Sequence, residues 1–109
     1  MTPDQYVYSA LKESGIPGTK TAYQEGHAPP LPWFVYMRKR GGITFANDSN
    51  YGSLPRYEVE LYQRENDPEV RQRLEDAIAS IGPFTFYEEW IPTEQCICTT
   101  YTFTYPYEE

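Results

Sequence analysis

Residues 67–83 carry the feature that most restricts what this chain can become. Asp67 is a capping carboxylate and Pro68 stands at the first helical position; Val70, Leu74, Ala77, Ile78 and Ile81 then repeat on a single helical face until Gly82-Pro83 stops the run. A helix of this kind has one apolar stripe and must lay it on a partner. Burying Val70, Leu74, Ile78 and Ile81 against a sheet contributes roughly 1.5 to 3 kcal/mol each, before the entropy of ordering them is set against it. The partner stands directly upstream. Residues 56–64 alternate with period 2, Tyr57, Val59, Leu61 and Gln63 on one side and Arg56, Glu58, Glu60, Tyr62 and Arg64 on the other, which predicts a strand with one wet face.

The remaining elements follow from the same local rules. Thr2-Pro3-Asp4-Gln5 combines a capping hydroxyl, a helix-start proline, a first-turn acid and Gln at the capping-box position, so a helix is expected over residues 3–14, ended by Gly15 and Pro17. Residues 19–26 read as a short strand around Ala22 and Tyr23. Three prolines in Pro29-Pro30-Leu31-Pro32 exclude helix interior and central strand, and lead into a β-branched and aromatic strand at residues 33–40 that ends in Arg38-Lys39-Arg40. Ile43-Thr44-Phe45 is a short return, and residues 47–53 form a loop dense in turn formers that closes at Leu54-Pro55. Two strands finish the chain, at residues 85–90 and 97–105. In the second, Ile97, Thr99, Tyr101, Phe103 and Tyr105 share one face, while Cys96, Cys98, Thr100, Thr102 and Thr104 share the other.

With 109 residues the chain has room for one domain, 1–109, and not for a multidomain enzyme. Only 39% of the residues are hydrophobic, but 17% are aromatic, 11 of them Tyr, and large rings let a small core bury enough area. The expected fold is α+β: a mostly antiparallel sheet of four to five strands with two helices packed on one face. No window approaches the roughly 18 apolar residues of a membrane span, and no basic start with an apolar run marks a leader, so a soluble, intracellular protein without membrane partners is expected.

Charge placement says more than the net −7. All nine basic residues lie at or before Arg73, matched there by nine acids, whereas residues 75–109 hold seven acids and no Lys or Arg. That segment is unsuited to ordinary nucleic-acid binding, and fits a surface that repels or mimics DNA.

Candidate catalytic groups are weak. Cys96 and Cys98 form a C-x-C pair about 6.5 to 7 Å apart on one strand face, the limit of what a disulfide spans; with no second pair to complete a zinc site, they read as small packed residues. His27, the only imidazole, precedes a proline run and reads as a solvated loop residue rather than the base of a Cys-His pair. Glu88 and Glu89 are strand neighbours facing opposite ways, and Glu58 and Glu60 fall on the wet face. Pro29-Pro30-Leu31-Pro32 could dock as a polyproline II ligand, but a stiff lead into a strand needs no partner. No phosphate loop, metal cluster or hydrolase motif occurs, so no catalytic, cofactor or metal site is assigned.

The order of helix, proline-led strand, polar loop, alternating strand, capped helix and final hairpin carries three recognisable words, P-P-L-P-W-F-V-Y from Pro29, Y-E-V-E-L-Y from Tyr57 and D-P-E-V from Asp67. In that order and spacing, over residues 4–105, the chain resembles small tail proteins of long-tailed phages and Gram-positive prophages, of the tail terminator and tail-completion (head-tail joining) type. The resemblance implies a non-enzymatic virion protein at the head-tail junction, assembled in the host cytoplasm into a ring, typically a hexamer. Its partners would be further copies of itself, the tail-tube protein and the head connector, with DNA passing through unbound. The residues themselves add expected contact positions, Arg38, Lys39 and Arg40 at the strand end and Asn47, Asp48 and Tyr51 in the loop, and channel-lining acids at Glu88, Glu89 and Glu94. The rival expectation is an acidic DNA mimic that inhibits a host nucleic-acid enzyme; a small enzyme using Cys96 or Cys98 is a third.

Overall fold

The structure, a computed structural model, describes residues 2–24, 26–39 and 56–104. Helix α1 runs over Pro3–Lys12 and begins with the expected reciprocal cap: the Gln5 amide donates to Thr2 Oγ1 at 3.1 Å and the Thr2 amide to Gln5 Oε1 at 2.9 Å. It stops two residues short of the expected end. The amides of Glu13 and Ser14 reach back only three residues, to Ala10 and Leu11, and the Ser14 hydroxyl donates to the same Leu11 carbonyl at 2.7 Å, which tightens the last turn.

Strand β1 is Gly18–Lys20, earlier than the strand expected around Ala22 and Tyr23. The correction has a steric origin. Gly18 lies flat on the Phe34 ring, so close that a Cβ there would stand 2.2 Å from the nearest ring carbon, and only glycine admits this approach. Pairing ends at Thr21, whose φ of 69° takes the chain out of extended geometry. Strands β2 (Trp33–Lys39), β3 (Arg56–Gln63), β4 (Phe84–Ile91) and β5 (Cys96–Thr104) follow, with helix α2 (Pro68–Ala79) between β3 and β4. Asp67 caps α2 by accepting from the Glu69 and Val70 amides, as its sequence position predicts.

The five strands form one sheet in the order β1-β2-β3-β5-β4, parallel between β1 and β2 and antiparallel elsewhere. The fold is therefore α+β with a mostly antiparallel sheet, as expected. Its register sets the two faces. Phe34, Tyr36, Tyr57, Val59, Leu61, Tyr101 and Phe103 point to the helices and are buried against Val7 and Leu11 of α1, Val70, Leu74 and Ile78 of α2, and the adjoining Ile81. The return expected at residues 43–45 and the loop at 47–53 lie outside the described residues.

Two polar anchors tie the helices to this core. Asp4 accepts from the Tyr57 hydroxyl and from Lys20 Nζ at 2.6 Å, and these bonds, that of Lys20 first, hold its carboxyl below the usual range. At the other end, Tyr101 donates to Glu75 Oε2 at 2.8 Å, and Arg71 bridges Glu75 at 3.0 Å and Glu88 at 2.6 Å.

Candidate functional site

The sheet face away from the helices carries, across successive strands, Val35, Glu60, Thr100 and Tyr87 in one row and Trp33, Tyr62, Cys98 and Glu89 in the next. Neither helix lies over it. Its floor is nevertheless partly closed: Val35, Cys96, Cys98 and Thr100 are buried, and Glu58, Glu60 and Tyr62 are half-covered rather than wet. Part of that cover comes from neighbouring side chains: the Trp33 ring leans on Tyr62 with centroids 4.7 Å apart, and Lys39 reaches within 3.7 Å of Glu58. Tyr23, from the segment between β1 and β2, meets the Trp33 ring edge-on at 5.1 Å.

One margin of the sheet is far more open. Strand β4 pairs with β5 alone, and three of its rings stay in solvent: Phe86 48% exposed, Tyr87 58% and Trp90 55%. Phe86 and Trp90 point to the helix side and Tyr87 to the open face, so each surface of this edge carries an exposed ring. Such a strand, eight residues long and, among the described residues, paired along one side only, presents backbone donors and acceptors together with the side chains most enriched at protein contacts. Sequence reasoning placed the strand but missed the exposure. The one signal it held was the presence of rings on both faces of Phe84 to Ile91, which a strand flanked on each side by others would also show.

The expected acids do not come together. Glu88 is bound to Arg71 at 2.6 Å on the helix side; Glu89 stands on the open face, and Glu94 is exposed in the turn before β5. Arg71 also lies over the Phe86 ring, 5.0 Å from its centroid, so the helix-side surface of β4 is a mixed ionic and aromatic patch. Of the expected contact residues, Arg38 and Lys39 are exposed at the end of β2; Arg40, Asn47, Asp48 and Tyr51 lie outside the described residues.

Cys96 and Cys98 are free, buried and packed, and burial raises both thiols above their ordinary range, the opposite of an activated nucleophile. His27 is exposed and shares a 3.1 Å hydrogen bond with Gln24, away from both. Among the described residues no three His, Cys, Asp or Glu side chains converge as metal ligands, and no helix is long and apolar enough to cross a membrane.

Fold and surface together define a small α+β domain in which, among the described residues, both helices pack on one face of the sheet and β4 pairs only with β5. No protein-family model matches the sequence, and no curated protein is detectably similar to it.

Proposed function

We propose that this protein is a non-enzymatic structural subunit of a phage tail, forming a ring, typically a hexamer, that caps the tail tube and joins it to the head connector. The observation that carries the reading is β4, which among the described residues pairs with β5 alone and leaves Phe86, Tyr87 and Trp90 each about half exposed on a subunit of 109 residues. The order of sequence elements shared with tail terminator and tail-completion proteins supports it. So does the inequality of the sheet's margins: β1 offers three residues and β4 eight, so a copy docking on β4 would use some other patch, the heterologous contact from which rings are built. Capping is then geometric. One ring surface would match the end of the tube and stop its growth, and the other would match the connector.

The DNA-mimic alternative draws no support from these acids, because Glu88 is paired with Arg71 on the helix side and Glu89 faces the other way. Light scattering after size exclusion, with and without purified tail-tube protein, tests the proposal. A closed oligomer, formed alone or on tube ends and lost when Tyr87 and Trp90 are both replaced by Thr, is the expected result. A monomer that ignores the tube protein at every concentration would sink it.

A further inference from the structure

The open face holds a second feature that the ring reading does not use. Tyr23, Trp33 and Tyr62 wall a cavity of about 260 Å³ whose rim is completed by Val35, Glu60 and the loop from Thr21. The rings stand in different planes, Tyr23 at 73° to Trp33 and Trp33 at 37° to Tyr62, so the cavity meets aromatic surface from more than one direction. This volume lies below the 300–1,000 Å³ usual for small-molecule pockets and suits the end of a single side chain.

Glu60 supplies the polarity. It is half-covered, its Oε1 accepts from the Tyr62 hydroxyl at 2.8 Å, and among the described residues no basic side chain pairs with it. Its neighbours differ. Glu58, one step along the same face of β3, has Lys39 at 3.7 Å, and on the helix side Glu75 and Glu88 share Arg71. A partly desolvated carboxylate with no cation beside it among the described residues, next to three aromatic rings, is the arrangement that attracts a flat cation: guanidinium stacks on rings and donates in the plane to a carboxylate. A neutral occupant would cover Glu60 and leave its charge unmatched, which disfavours it.

We propose that the Tyr23–Trp33–Tyr62 cavity, with Glu60 at its rim, is a receptor for one arginine side chain of a protein partner docking on the open sheet face. The inference stands whether or not the chain forms a ring.

The two tryptophans make the test internal, since Trp33 lines the cavity and Trp90 stands on β4, across the sheet. Indole N–H signals are followed by NMR during titration with N-acetyl-arginine amide, with N-acetyl-citrulline amide as the neutral isostere and guanidinium ion as the bare cation. The expected result is a saturable shift at Trp33 with Trp90 unmoved, no saturation with citrulline amide, and weaker binding of guanidinium ion than of the blocked arginine. Glu60→Gln should weaken arginine binding by about tenfold, or about 1.4 kcal/mol. Tyr23→Leu, altered only in the covering segment, should weaken it as well and decides the matter if Glu60→Gln does not fold. No saturable shift at Trp33, an equal response to citrulline amide, or undiminished binding by the folded variants overturns the proposal. Binding of guanidinium ion as tight as that of the blocked arginine overturns its protein-borne part and assigns the cavity to a small free cation.

Discussion

Strands β4 and β5 lie side by side, paired from Phe84↔Phe103 to Ile91↔Cys96, and both are rich in rings, yet their burial is opposite. Along β5 most side chains are buried, Tyr101 completely; along β4 none reaches that class. The difference teaches that neither aromatic content nor alternation decides burial in this sheet. Neighbours do. Among the described residues β5 is flanked by β3 and β4, whereas β4 is flanked once. Two helices packed about 8–10 Å apart shield the centre of a sheet whose outer strands are about 19 Å apart, and the last strand falls at the margin of that shield.

The comparison can be broken by mutation, and the largest expected effect is on the buried side. Tyr101→Ala removes a fully buried ring and should cost about 3–5 kcal/mol in urea unfolding. A cost below about 1 kcal/mol would mean that β5 is not the centre of the core. Tyr101→Phe is a finer cut, keeping the ring but taking away the hydroxyl that donates to Glu75 at 2.8 Å. It should cost about 1–3 kcal/mol, because Glu75 sits half-buried beside Arg71 and loses a partner there. Smallest of all should be Trp90→Thr on β4. Its ring is 55% exposed and threonine suits a strand, so the stability of the isolated subunit should move by no more than about 0.5 kcal/mol. A loss as large as that of Tyr101→Ala would show Trp90 to be a core residue and would erase the contrast.

Much of the fold was legible because local chemistry and tertiary packing agree. Asp67-Pro68 and Thr2-Pro3 cap helices on their own terms, and the period-2 pattern of β3 meets a face that is in fact buried on one side only. The boundary of β1 was not legible, since it depends on Gly18 meeting Phe34 sixteen residues later, a contact no window of sequence contains. The site was less legible still. Glu88 reads as one more acid in an acidic third of the chain, and only the fold brings Arg71 against it. Likewise Tyr23, Trp33, Glu60 and Tyr62 share no motif; a parallel pairing of β1 with β2 and an antiparallel one of β2 with β3 place them around one cavity.

The strand order also has a consequence in time. β5 is synthesised after β3 and β4 but is inserted between them, so until it has left the ribosome those two strands have no common neighbour. Tyr101 and Phe103, which close the core over α2, arrive with it. A nascent chain lacking β5 can cap its helices and pair β2 with β3, but half of the sheet waits. The pairings that complete the sheet are therefore non-local ones, the kind that slow folding. Until β5 is in place, β3 and β4 lack the neighbour that it supplies to both, and a molecule released early would offer other chains strand margins that the finished sheet pairs internally.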